Sequence, residues 1–303
     1  MMMDGLITGY IDLYVDQDGC LDKFFIIPQT TKISGIESFE IAVKKLKANY
    51  DIRFLHKDKR EERKTNCINN LAIASMVKII IAGCIYKGIE NAHFNFETRI
   101  KIQKKHISVL SAGISDKDIG KFITIKELLR NMLILSDNSA MDILIDFLGK
   151  EKIKLFLKTI NSKEYNVESV NNIELTKDIY GQAWCFDKHS EAIWRKRALT
   201  QVAWPQGLDY FIPLEIISRT MEFILKHDWV PWDDLNVDND LIYKGGSAPG
   251  VLSCIWSLRN PNSPDNLQLL FAFNRESVFS LLEELYIFEC ANKLLQCYVN
   301  ITP

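Results

Sequence analysis

The stretch from Ser75 to Lys87 reads Ser-Met-Val-Lys-Ile-Ile-Ile-Ala-Gly-Cys-Ile-Tyr-Lys, apolar almost throughout apart from Lys78, with Gly88 as a stop. A helix that is apolar on every side has no face to give to water, so it must run through the middle of a packed domain. The rest of the chain has to surround it. Its 303 residues suffice for one large domain or two interleaved lobes with a substantial core.

The surrounding elements follow from periodicity. Residues 8–28 alternate apolar and polar around Asp16-Gln17-Asp18-Gly19, which predicts a hairpin. A helix is expected over Glu37–Asn49, a strand over Asp51–Leu55, and a solvated polar turn over Lys57–Thr65, where Glu61 and Glu62 dilute the basic run. Helices are expected over Thr124–Leu135, opened by a Thr124/Glu127 capping box, and over Ala140–Leu148. Residues 160–212 have weak periodicity and read as a long irregular excursion. Pro213–Lys226 is amphipathic with its proline near the start. Leu241–Tyr243, Val251–Leu258 and Leu267–Asn274 read as strands, and Val278–Cys297 as a closing helix. This order implies an antiparallel sheet built from both ends of the chain, with a helical lobe inserted between. The expected divisions are an N-terminal hairpin (1–30), an α/β lobe (36–92 and 240–303) and a helical lobe with an expanded loop (93–239).

A net charge of −2, with 25% charged and 47% hydrophobic residues, gives no basis for a nucleic-acid or anionic-membrane partner. The seven cysteines show neither CxxC nor Cys/His spacing, so no metal and no cofactor is expected, and they read as reduced thiols. No secretory signal and no spanning stretch is visible, which implies a cytoplasmic protein.

Three short motifs occur in order: Ser75-Met-Val-Lys78, Ser136-Asp137-Asn138 and Lys244-Gly245-Gly246. Three apart on a helix, Ser75 and Lys78 share a face. A serine in the first turn feels the positive end of the helix dipole, and desolvation lowers a lysine pKa so that its amine can take the serine proton. The competing reading makes Ser75 a helix cap, Lys78 a snorkelling surface lysine and Ser-Asp-Asn an ordinary cap. Each motif alone is weak; their joint occurrence in this order favours chemistry.

Together they resemble the S-x-x-K, S-D-N and K-T-G signatures of the class A β-lactamases and penicillin-binding proteins. The resemblance covers residues 37–158 well and 240–300 fairly, including Gly120-Lys-Phe-Ile-Thr-Ile-Lys-Glu-Leu-Leu before the second motif. It implies a β-lactamase/transpeptidase-like fold, α/β plus all-α, whose antiparallel sheet is flanked by helices. It also implies roles: Ser75 as nucleophile, Lys78 as base, Ser136 as proton relay, Asn138 as the holder of the lysine and of a substrate amide, and Lys244 as positive charge at the cleft. The backbone N–H groups of Ser75 and Ser247 would form the oxyanion hole. The hairpin is similar to the last strands of a nuclear-transport-factor-like domain that precedes some β-lactamase-like esterases, one of them from clavulanic acid biosynthesis.

Two positions depart from the pattern. Gly245 stands where the family has a threonine or serine whose hydroxyl helps bind a substrate carboxylate; Ser247 is the nearest substitute. The family's deacylating glutamate lies in an E-x-x-L-N loop. Here Leu175-Thr176 resembles its end, which places Asn172 at the catalytic position, with Glu174 and Glu168 reachable only by shifts of register. Trp184, Phe186, Trp194, Trp204 and Tyr210 either wall an acyl pocket or pack the expanded loop. The expected function is acyl-enzyme chemistry on a small-molecule ester or amide, as hydrolase or acyltransferase, with secondary metabolism as the expected setting. The alternatives are a class A-type β-lactamase, a glutaminase of the same fold, and a non-catalytic binding protein that keeps the pocket. Oligomeric state is not legible.

Overall fold

Alternation in the first residues is met by strands β1 (Gly9–Val15) and β2 (Leu21–Pro28), which pair antiparallel as a separate two-stranded sheet. The computed structural model describes residues 7–15, 18, 20–56, 60–160, 173–185, 188, 190–235, 241–258 and 267–298. The turn residues Asp16, Gln17 and Gly19 fall outside this set. Then come helix α1 (Ile36–Lys44), strands β3 (Asn49–His56) and β4 (Arg60–Thr65), and helix α2 (Val77–Glu90). A small pair, β5 (Arg99–Lys101) and β6 (Phe122–Thr124), precedes helices α3 (Ile125–Leu133), α4 (Asn138–Leu148), α5 (Lys150–Ile160), α6 (Thr176–Trp184), α7 (Glu191–Thr200) and α8 (Leu214–Ile224). Strands β7 (Leu241–Ala248), β8 (Val251–Leu258) and β9 (Gln268–Asn274) and helix α9 (Leu281–Gln296) complete the order.

The main sheet is antiparallel in the order β4-β3-β9-β8-β7, so strands from both ends of the chain meet at the β3–β9 pairing. One face is covered by α1 and α9, with Phe39, Val43, Phe271, Phe273, Tyr286 and Leu294 sealed between them. The other face receives α2, which is buried on nearly its whole circumference and surrounded by α3, α4, α5 and α8. The almost wholly apolar helix is thus the axis of the larger core, as its composition demands.

Four expectations are corrected. Helix α1 stops at Lys44, because Lys47 turns the chain at φ 53° and Asn49 already pairs with Asn274. The charged run is not a turn: residues from Arg60 form an edge strand on β3. Its charged side chains find partners across the pair, Arg63 with Asp51 at 2.9 Å, Glu62 with the His56 ring at 2.7 Å, and Glu61 with Arg53. Such an edge suits charged side chains because it deters pairing with foreign strands. Gly88 does not stop α2; a Cβ there would lie 2.2 Å from the Phe94 ring, so glycine admits that ring. The excursion after residue 160 contains α6 and α7 rather than irregular chain. The Thr124/Glu127 capping box forms as expected, with the Glu127 N–H donating to Thr124 Oγ1 at 3.2 Å. Among the described residues no helix is long and apolar enough to cross a membrane.

Candidate active site

Ser75 sits in a single tight helical turn (Ala74–Met76) that leads into α2, and its approach is pinned from several sides. The Ala72 N–H donates to Asn274 Oδ1 at 2.7 Å, the Ile73 N–H to the Tyr210 carbonyl at 2.9 Å, and Ser253 Oγ donates to the Ile73 carbonyl at 2.6 Å. Ala74 lies at φ 45°, left-handed for a non-glycine residue, and its N–H donates to Asp209 Oδ1 at 2.9 Å. A strained residue persists only where its surroundings over-determine it. Here the buried Asp209 carboxyl does so.

Burial raises the Asp209 pKa to about 7, against the pull of the Tyr210 and Ala74 N–H groups. The folded protein therefore takes up a proton between the ordinary carboxylate range and about pH 7, and the contribution of Asp209 to stability is lost as pH rises through that value. Relative to a non-titrating Asp209→Asn variant, the parent protein is expected to lose stability from pH 5 to pH 8, by at most about 1.4 kcal/mol per pH unit. Urea melts of both proteins at the two pH values check this; a difference constant with pH refutes it.

Lys78, the second residue of α2 and one turn after Ser75, is 1% exposed and on the Ser75 face. Its Nζ donates to Ser75 Oγ at 2.8 Å and to Asn138 Oδ1 at 2.7 Å. Burial lowers its pKa to about 8, opposed by the negative charges of Asp142 and Asp137. About a tenth of the molecules then carry the free amine at pH 7. The side-chain amide of Asn138 also donates to the Val109 carbonyl at 3.0 Å, so its oxygen is held toward the lysine.

The second motif forms the turn between α3 and α4. Ser136 has φ 56°, and the fully buried Asp137 fixes the turn by accepting from the N–H groups of Ala140 (2.7 Å), Gly113 (2.6 Å) and Ile114 (3.0 Å). Lys244 on β7 reaches across, its Nζ donating to Ser136 Oγ at 3.0 Å and to the Gly245 carbonyl at 2.6 Å. Burial, with Lys78 nearby, holds its pKa well below the ordinary lysine range. Strand β7 lies directly against the Ser75 turn. A Cβ at Gly246 would sit 2.5 Å from the Ile73 carbonyl oxygen and 2.8 Å from the Met76 nitrogen, so only glycine allows this approach. Ser75, Ser136, Lys244 and Ser247 border one cleft of about 760 Å³. A second cavity of about 350 Å³ shares Ser75, Ser136 and Ser247 and adds Asn138, Tyr180 and Trp184.

The loop residues fare differently. Asn172, Glu168 and Phe186 lie outside the described residues. Glu174 borders neither cavity: its carboxylate is partly exposed and accepts from Lys150 Nζ at 2.5 Å. Trp184, stacked on Tyr180 at 4.3 Å, does wall the second cavity. Trp204 instead donates to the Arg275 carbonyl, Trp194 packs against the core, and Tyr210 donates to the Glu174 carbonyl. Sequence reasoning missed Asp142, a buried carboxylate that accepts from the Thr176 and Lys177 N–H groups at 2.6 and 3.2 Å. It thereby sets the start of α6, which carries Tyr180 and Trp184 to the cavity. Burial raises its pKa to about 6, moderated by those N–H donors. Asp209, Tyr243 and Glu284 were missed as well; no local pattern marks them. Among the described residues no cluster of three or more metal-ligating side chains is present.

The arrangement pairs a hydroxyl with a desolvated amine on one side of a cleft and a second hydroxyl–lysine pair on the other. Such a site can attack a carbonyl and protonate a leaving group. A family model, that of the beta-lactamase enzyme family, matches residues 36–210. No curated protein matches the sequence. Among solved structures, the beta-lactamase of Sphaerobacter thermophilus aligns with a TM-score of 0.58 at 17% identity, over 89% of this chain and 99% of that one. The class A beta-lactamase of the last common ancestor of Gram-negative bacteria gives a TM-score of 0.55 at 16% identity, over 87% and 98%. At such identities the likeness is one of fold.

Proposed function

As the chain belongs to the beta-lactamase enzyme family, whose fold it shares, we propose that it is a serine hydrolase or acyltransferase working through an acyl-enzyme on Ser75, with a small-molecule ester or amide as substrate. One observation carries this reading: a buried lysine amine with lowered pKa lies 2.8 Å from a partly exposed serine at the floor of a cleft. Lys78 takes the Ser75 proton as Oγ attacks the substrate carbonyl carbon, and Asn138 Oδ1 stabilises the ammonium that forms. The backbone N–H groups of Ser75 and Ser247 receive the developing oxyanion. Ser136, held by Lys244, passes a proton to the departing alcohol or amine as the carbon–heteroatom bond breaks. The acyl group then leaves Ser75 for water or for a second alcohol or amine.

Fast hydrolysis of β-lactams is not part of this reading. Gly245 supplies no hydroxyl for their carboxylate, and the Glu174 carboxylate is engaged by Lys150 away from the cavities. A pure binding protein would have no use for an amine desolvated beside a hydroxyl. Incubation with a fluorophosphonate and with a panel of esters and β-lactams, followed by intact-mass spectrometry, is expected to give a single adduct on Ser75 that is lost in Ser75→Ala. An adduct that persists in Ser75→Ala and maps elsewhere refutes the assignment.

A further inference from the structure

Gly245 has a physical reason beyond the absence of a hydroxyl. A Cβ at this position would lie 2.2 Å from the Tyr243 hydroxyl and 2.9 Å from its ring. The phenol therefore fills the space that a side chain at 245 would take. Tyr243 is held there by neighbouring rings, Trp256 at 5.2 Å and Phe288 at 6.3 Å, while Trp232 Nε1 donates to its carbonyl at 3.1 Å. Beside these rings, one turn before Phe288 on α9, stands Glu284, which borders both cavities together with Ser75. Among the described residues its carboxylate has neither a hydrogen bond nor an ion pair, although burial and the adjacent Glu283 raise its pKa.

Building on the acyl-enzyme reading, we infer that the wall formed by Tyr243, Phe288 and Glu284 receives a cationic group of the substrate, an alkylammonium, where related clefts take a carboxylate. A half-buried carboxylate without a partner is under-compensated, and a cation seated beside it supplies the missing charge. Aromatic faces around that position add cation–π attraction, strongest for weakly hydrated alkylammonium groups. Among the described residues bordering the larger cleft the cationic one is Lys244, whose amine is turned to Ser136 and the Gly245 carbonyl and is lowered in pKa by burial. An anionic substrate group would thus meet Glu284 while the Lys244 amine is already engaged by Ser136 and the Gly245 carbonyl.

The test uses three p-nitrophenyl esters of one chain length that end in trimethylammonium, tert-butyl or carboxylate. Their acylation rates (kcat/KM from the nitrophenolate burst) are compared, and binding of the matching carboxamides is followed by calorimetry. The ammonium ester is expected to exceed its tert-butyl isostere about tenfold or more, with the carboxylate ester slowest. In Glu284→Gln the ammonium-to-tert-butyl ratio should fall to within about twofold of one, and Glu284→Asp should keep it above one. Tyr243→Ala combined with Gly245→Thr should raise the carboxylate ester relative to the other two. A ratio near one in the parent protein, a preference for the carboxylate ester, or equal slowing of all three esters in Glu284→Gln (the mark of a general base) would overturn the inference. Absence of acylation by every ester, with Glu284-dependent binding of the ammonium carboxamide retained, would overturn the acyl-enzyme reading and leave this one standing.

Discussion

Replacing Lys78 with alanine is expected to slow acylation of Ser75 by about 10² or more, the usual contribution of a general base. The effect has a pH signature. With the Lys78 pKa near 8, acylation of the parent protein should climb as pH rises through that value and level off above it, since only the free amine accepts a proton. Lys78→Ala should lack this limb. Stability moves in the same direction. A lysine whose folded pKa lies below its ordinary value binds fewer protons in the folded than in the unfolded state, so stability rises with pH between about 8 and the usual lysine range. Stopped-flow acylation from pH 6 to 10, alongside thermal melts, checks both statements. An unchanged rate with a retained limb would make Lys78 a structural residue only.

Asp137→Ala is expected to give the largest loss of stability, about 3–5 kcal/mol. Three backbone N–H groups from two segments converge on this one fully buried carboxylate. Each buried donor left without an acceptor costs about 1–3 kcal/mol, and a helix cap is lost as well. The same residue fixes a turn in which Ser136 is held at φ 56°. Loss of acylation should therefore accompany the loss of stability even at temperatures where the variant remains folded. Asp137→Asn, which keeps one acceptor oxygen, should recover part of both. Denaturant melts and acylation rates of the two variants, measured side by side, decide it; a loss below about 1 kcal/mol would show that the turn holds without its carboxylate.

Much of the architecture was written in local patterns. The almost wholly apolar α2, the Thr124/Glu127 box before α3 and the largely apolar runs of β8 and β9 are each local signals that need no distant partner. Strand β4 carries none: Arg-Glu-Glu-Arg-Lys-Thr has no apolar face, and it becomes a strand by pairing along β3, where Asp51, Arg53 and His56 give its charged side chains partners. Helix α7 was obscured in a similar way, since it is exposed over most of its surface and buries Ala198 alone. In the site, the motif residues announced themselves by spacing and order. Asp142, Asp209 and Glu284 did not, because a carboxylate in a loop or on a helix reads as a solvated residue until the fold brings a backbone N–H or an aromatic wall to it. Gly245 was read as a missing hydroxyl; the phenol two residues earlier, on the same face of the strand, was invisible as its cause.

Two of the left-handed non-glycine residues, Ala74 before Ser75 and Ser136 in the second motif, expose a conflict between what heat selects and what chemistry selects. Glycine adopts such angles without steric penalty, so a library screened for thermal resistance alone would find glycine at position 74 an easy gain of around 1 kcal/mol wherever backbone strain outweighs the added chain entropy. The same change would widen the range of directions in which Ser75 can point, and a reacting group misplaced by an ångström loses orders of magnitude in rate. Descendants of such a screen would survive hotter and work slower.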